Sequence, residues 1–245
     1  MPVPSTTAPL PIAIETYGDS AVMVTIEAHD ADVRRRLIVA FRERVLARRP
    51  YAVLDVVAGL ESLLIEFDAL ETSAESLEYG LHLLAEIETG SASGRPPVVL
   101  DVPFAADADT APDLEEVAAE LGIPPQEVLA RIERSSFSVT LLAAAMAPML
   151  SGLDVPAPVR RRAQPRTDVP AGSIMIAGEN AIIQPFSGPT GWRVVGRTPL
   201  EIVDITRSAP VSYAPGDLIR FRLIDAAEAQ GLRGRFLESR TEDER

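Results

Sequence analysis

The chain has 245 residues, 23 basic and 36 acidic side chains, and a formal net charge of -13. Every basic side chain is an arginine, and there is neither lysine nor cysteine. These absences exclude a Schiff-base lysine, a biotin or lipoyl attachment lysine, a Walker A phosphate loop, disulfides, thiol nucleophiles and cysteine-based metal sites.

Ile12 to Tyr17 alternates apolar and polar side chains and predicts a strand. After the Gly18-Asp19-Ser20 turn, Ala21 to Ile26 predicts a second strand, with Val22, Val24 and Ile26 on one face, and the two form a hairpin. Asp32 to Leu46 predicts a helix, because Val33, Leu37, Phe41 and Val45 recur every four residues, with Ile38 and Leu46 widening the stripe. Pro50 ends it. Strands at Val53 to Val57 and Leu63 to Phe67 flank Gly59, and Ser73 to Ile87 predicts a second helix. The order β-β-α-β-β-α implies two helices covering one face of a small sheet.

Thr89 to Pro97 is small, polar and ends in two prolines, as a linker does. A strand at Val98 to Val102 follows, then a helix at Pro112 to Leu121 with Asp113, Glu115 and Glu116 in its first turn, where the dipole favours them. Pro124 starts another helix that runs to Arg134, and Phe137 to Leu142 reads as a strand. Beyond that, short apolar alternations lie between prolines and glycines: Ser173 to Ala177, Ala181 to Ile183, Trp192 to Val195, Glu201 to Val203 and Leu218 to Leu223. Many short strands spaced by turns indicate a barrel or sandwich. The expected organisation is a flexible lead (1–11), an α+β N-terminal domain (12–88), a linker (89–97), a mainly-β domain (98–225) and a charged C-terminal tail (226–245).

The acidic balance argues against nucleic acid as a partner. The longest apolar stretch, Val139 to Leu150, contains Pro148 and falls short of the roughly 20 residues a membrane span needs. Residues 1–11 carry four prolines and no basic region, so no secretory signal is expected and the expected compartment is the cytoplasm. His29 and His82 are isolated, which favours structural roles over metal ligation, and no metal site is expected. Arg34 to Arg36 reads as a solvated helix face or a partner contact. Arg160, Arg161, Arg162 and Arg166 stand in an irregular loop broken by Pro158 and Pro165. Guanidinium forks bind carboxylate or phosphate, so this cluster either pairs with the protein's own carboxylates or receives an anionic ligand. Ser187 to Trp192 is a Gly/Pro loop, either a tight hairpin whose tryptophan caps the core or a backbone cradle for a ligand. Pro215-Gly216-Asp217 reads as a structural type II turn.

Taken in order, these segments resemble one family. Val159 to Gly178 (VRRRAQPRTDVPAGSIMIAG), Gly188 to Leu200 (GPTGWRVVGRTPL) and Pro215 to Phe221 (PGDLIRF) are similar to signatures of the KipI/PxpB family, also called allophanate hydrolase subunit 1. Tyr17 to Val24 (YGDSAVMV), Gly59 to Asp68 (GLESLLIEFD) and Ala111 to Val128 (APDLEEVAAELGIPPQEV) match as well, so the resemblance runs from Ile12 to Ile224. It implies an N-terminal α/β domain and a C-terminal cyclophilin-like β-barrel. It also implies an accessory B-type component of an ATP-dependent 5-oxoprolinase, which opens 5-oxo-L-proline to L-glutamate with A-type and C-type subunits. Other relatives form part of the carboxyltransferase unit of urea carboxylase. The alternative it implies is a non-catalytic, KipI-like inhibitor of a sensor histidine kinase or a diverged pseudo-subunit. No cofactor is expected on this chain itself, ATP being left to the complex, and no activity is expected of the chain alone.

Candidate ligand- or partner-binding residues are Arg161, Arg162, Arg166, Ser173, Asn180, Gly191, Trp192 and Arg197; no catalytic residue is assigned. The sequence departs from the family pattern in three places. Ile132 stands where the family has a histidine. Ala143 to Asp154 (AAAMAPMLSGLD) has lost the family's glycines and aromatics, and Asn180 to Pro185 replaces a Q-T-G-I-Y-P stretch. These departures imply lost chemistry or a changed ligand.

Overall fold

The computed structural model describes residues 10–86 and 96–238. Most of the expected linker, residues 1–9 of the lead and residues 239–245 of the tail lie outside the described residues. The chain divides into two compact units, Met1–Pro96 and Pro97–Arg245.

The first unit carries strands β1 (Ile12–Thr16), β2 (Ala21–Ile26), β3 (Val53–Ala58) and β4 (Ser62–Phe67) in the antiparallel order β1-β2-β4-β3. Helices α1 (Ala31–Arg48) and α2 (Ala74–Glu86) supply the other layer. Alternation puts Val22, Val24, Ile26, Leu63, Ile65 and Phe67 on one sheet face, where Ile38, Phe41 and Val45 of α1 and Leu77, Leu81 and Ala85 of α2 complete the core. Val33 and Leu46, expected on the buried stripe, are instead at the surface. Leu46 follows fully buried Val45 by one residue, about 100° round the helix, so it lies off the buried face. Asp30 caps α1 by accepting from the Val33 amide at 2.8 Å, and Arg49 ends it in the left-handed region with Pro50 behind it.

Edge strand β3 is closed to further pairing. Its register breaks between Val53 and Asp55, the Asp55 carboxylate accepts from the Val56 amide at 2.7 Å, and Arg42 Nε donates to the Val56 carbonyl at 3.0 Å.

The second unit runs β5 (Val99–Phe104), α3 (Leu114–Leu121), α4 (Pro125–Arg134), β6 (Phe137–Leu142), β7 (Pro148–Ser151), β8 (Arg166–Val169), β9 (Ser173–Ala177), β10 (Asn180–Ile183), β11 (Gly188–Thr190), β12 (Arg193–Arg197), β13 (Leu218–Leu223) and α5 (Ala226–Leu232). Seven strands form one mixed sheet in the order β12-β9-β10-β7-β6-β13-β5, with only β13 and β5 parallel among its pairs. Just past β5, Ala105 exchanges two backbone hydrogen bonds of 2.9 Å with Arg197 of β12, which nearly closes the sheet into a barrel. Leu100, Val102, Phe104, Phe137, Ile174, Val195 and Phe221 fill the interior, and the Phe221 ring meets Phe104 and Phe137 edge-on at 5.9 and 5.2 Å. Gly196 makes room for this packing: a Cβ there would stand 2.6 Å from the Phe104 ring. Gly196→Ala is expected to cost about 1–3 kcal/mol by overpacking, read as a lower urea midpoint.

Three expectations are corrected. Glu201 to Val203 is not a strand; Glu201 makes a single bridge to Phe236, and Leu237, within the segment read as tail, is buried in the core. The loop containing Arg166 and the loop before Trp192 each hold a short strand, β8 and β11, which pair with each other. β7 lies within the apolar run before Gly152. Strands of three or four residues among prolines and glycines show too few alternations to be legible. Asp217 is structural, as expected: its buried carboxylate accepts from the amides of Val98 at 3.0 Å and Ala214 at 2.8 Å.

Candidate functional site

The arginine cluster is met by the acidic face of α3. Asp113, Glu116 and Glu120 are spaced three and four residues apart, which places them along one side of the helix. Asp113 sits at the N-cap position, but its side chain makes no capping bond to the helix. It is fully buried (0% exposed) and turns to the arginines. Arg162 donates to Oδ1, Arg166 donates to Oδ1 at 2.7 Å, and the Val194 amide of β12 donates to Oδ2 at 2.8 Å. Along the helix, Arg162 also lies 3.7 Å from Glu116, Arg193 of β12 bonds Glu116 and lies 3.7 Å from Glu120, and Arg160 bonds Glu120 at 3.1 Å. Four arginines and three carboxylates thus form one ladder that binds the loop, β8 and β12 to α3.

Burial by itself pushes the Asp113 carboxyl up. The Arg166 hydrogen bond, the Val194 amide and the charges of Arg166 and Arg162 more than offset this, so the group lies below the usual aspartate range. Glu120 behaves alike: burial raises it, and bonds from Arg160 with the Arg193 charge bring it below its ordinary value. The Arg166 guanidinium is raised, first by its bond to Asp113. Of the two alternatives for the cluster, the protein's own carboxylates account for Arg160, Arg162 and Arg166.

Arg161 differs. It is exposed and lies over the Trp192 ring at 5.5 Å, with no carboxylate partner among the described residues. Trp192 packs against Val169, Met175 and Val194, and the Gly191 carbonyl accepts from the Arg162 amide at 2.8 Å. The structure therefore gathers Arg161, Arg162, Arg166, Gly191 and Trp192 at one corner. Ser173 and Arg197 face each other at the opposite end of the β9–β12 pair. Asn180 opens β10 across from Ala177 and is hydrogen-bonded to none of these arginines among the described residues. Sequence reading missed Glu120 and Arg193, and took Asp113 and Glu116 only as dipole charges; the acidic spacing along α3 was the one available signal.

The histidines stand apart. His82 is 3.8 Å from Glu78 on the same helix, and His29 lines an open groove of about 530 Å³ where Arg34 is committed to Glu61 and the Ala28 carbonyl. Among the described residues no group of three acidic or histidine side chains is arranged to hold a metal ion. No helix there is long and apolar enough to cross a membrane.

Residues 12–213 match the family described as the carboxyltransferase domain, subdomain C and D. The chain belongs to this family. It is 28% identical over 221 residues to the B component of the Bacillus subtilis 5-oxoprolinase, covering 85% of this chain and 91% of that one. Among solved structures it is similar to TTHA0988 with a TM-score of 0.71 and 27% identity, over 84% of this chain but only 40% of the longer protein. The urea amidolyase of K. lactis shares the fold, with a TM-score of 0.73 at 19% identity over 94% of this chain and 16% of that one.

Against that family pattern, Ile132 is 1% exposed and belongs to the barrel core, so the position that carries a histidine in the resemblance faces no solvent here. In the segment that has lost its glycines, Ala145 and Met146 take φ of 55° and 63°, left-handed values that L side chains resist by about 1–2 kcal/mol each. Buried Tyr213 holds this strained turn by donating to the Met146 carbonyl at 3.0 Å, and burial raises its phenol well above the ordinary range. Ala145→Gly is expected to stabilise the unit by up to about 1 kcal/mol, after the extra freedom of the unfolded chain is subtracted. A thermal melt checks the sign.

Proposed function

We propose that this chain is the B-type accessory component of an ATP-dependent, 5-oxoprolinase-like cyclic amide hydrolase. It works with C-type and A-type subunits, and its second unit is a cyclophilin-like barrel. The supporting observation is the family match over residues 12–213, together with three 5-oxoprolinase B components that align over most of their own length. A fold that recurs inside longer chains fits a part that functions in company. ATP is left to the complex, since this chain has no phosphate-loop lysine. The test is co-expression with C-type and A-type subunits, affinity capture and an assay of 5-oxo-L-proline cleavage. Capture with ATP-dependent glutamate release is expected; no complex and no activity would end the proposal.

Arg161 supplies the partner contact in this reading, because its guanidinium is exposed on an aromatic platform while its neighbours are occupied. Arg161→Glu is expected to weaken capture of the C-type partner about tenfold without moving the melting temperature. Arg166→Ala should lower the melting temperature, because Asp113 loses a charged donor.

A second reading, a KipI-like regulator of a sensor histidine kinase, is favoured by one observation: Ile132 and its surroundings are closed core. Kinase autophosphorylation with and without the protein separates the readings.

A further inference from the structure

The two edges of the first unit's sheet are treated differently. At one edge, β3 is blocked by its bulge, by Asp55 and by Arg42. At the other, β1 pairs with β2 alone. The β1 register fixes which of its backbone groups are used. The Glu27 amide donates to the Pro11 carbonyl at 3.0 Å and the Tyr17 amide to the Ala21 carbonyl at 2.8 Å, so positions 11, 13, 15 and 17 turn their backbone toward β2. Ile12, Ile14 and Thr16 therefore turn their N–H and C=O groups outward, and these groups have no backbone partner among the described residues. The result is an unfinished ladder. Its side chains are sorted by face: Ile12 and Ile14 pack half-buried against the core, whereas Ala13 and Glu15 are exposed on the face turned away from the helices. By alternation Asp55 and Glu66 lie on that same face, and none of the four strands contains a basic residue.

We propose that β1 is a docking edge for an extended segment of another protein, one that alternates basic and apolar side chains. An added antiparallel strand completes the ladder through the outward groups of Ile12, Ile14 and Thr16. Its side chains beside Ile12 and Ile14 continue the core face and are apolar. Those beside Ala13 and Glu15 stand on the acidic face and are basic, because opposite charges across a strand pair attract. Charge also selects this occupant over a second copy of the chain. In a two-fold pairing centred on Ile14, Glu15 faces the copy's Ala13, and the two Glu15 side chains lie diagonal at about 7–8 Å with nothing basic between them. Centring the pair on Glu15 sets the two carboxylates directly opposite, about 4.5–5.5 Å apart, which is destabilising. A net charge of -13 adds repulsion between copies at longer range. The proposal does not rest on the function proposed above.

The experiment is amide NMR titration of the full chain with a blocked heptapeptide that alternates valine and lysine, and with the same peptide carrying glutamate for lysine. Saturable shifts and slowed hydrogen exchange at the Ile12, Ile14 and Thr16 amides are expected with the lysine peptide, and binding about threefold weaker or less with the glutamate peptide. Glu15→Lys leaves the backbone untouched and should invert that preference. Thr16→Pro removes one outward donor at an exposed edge position, where proline is tolerated, and should weaken the lysine peptide about threefold or more. Unchanged melting temperatures show that both variants are folded. A peptide held by charge alone shifts scattered residues and leaves exchange at the three amides unchanged, and that result overturns the proposal. Equal binding of the two peptides overturns it as well. Protection of the same amides on concentrating the protein without peptide makes a second copy the occupant and rejects the basic strand.

Discussion

Replacing Asp113 with alanine is expected to cost the second unit about 3 kcal/mol. Removing one partner from a buried ion pair costs about 3–5 kcal/mol, and the lower end applies because Arg162 and Arg166 keep 21% and 35% of their side chains exposed and can recover some water. The Val194 amide has no such recourse, because it lies buried beside the carboxylate. Asp113→Asn keeps the shape and one acceptor and should cost about 1–2 kcal/mol. The pH dependence separates charge from shape. The folded Asp113 carboxyl titrates below its unfolded value, so its contribution is fully present above the unfolded value near pH 4 and fades as pH falls through the lower folded one. Urea midpoints of the wild type should drop on acidification below about pH 4, and those of Asp113→Asn should drop less. Equal acid slopes would assign the ladder no net electrostatic role.

The second large effect is expected at Gly172. Its φ is +80°, and a Cβ built there would stand 2.4 Å from the Thr198 carbonyl oxygen, a backbone atom that cannot swing away. Left-handed strain of about 1–2 kcal/mol adds to overpacking of about 1–3 kcal/mol, so Gly172→Ala should cost about 2–5 kcal/mol. Gly191→Ala provides the control: a Cβ there meets nothing within 4 Å and its φ is not left-handed, so its midpoint should barely move.

Most elements of the first unit were legible, because a six-residue strand alternates three times and α1 repeats its stripe over five turns. The failures were of two kinds. Short strands such as β11, Gly188–Thr190, carry no period at all. Val33, in the first turn of α1, and Leu46, about 100° round the helix from fully buried Val45, lie where no neighbour covers them. For the candidate site, the arginines of residues 160–166 and Trp192 could be picked from their residue types, but the partner of each could not.

The sequence by itself determined which chemistries the chain lacks, the order of its main elements and the family to which it belongs. Those properties are carried by residue counts, by periods of two and 3.6, and by motifs contiguous in the chain. Only the tertiary structure decided that Arg162 and Arg166 are committed to Asp113, 49 and 53 residues away, while Arg161 remains exposed on Trp192. Adjacent arginines are locally indistinguishable. Their fates diverge because the loop turns each side chain toward a different surface, and the burial of one carboxylate fixes which of them it holds.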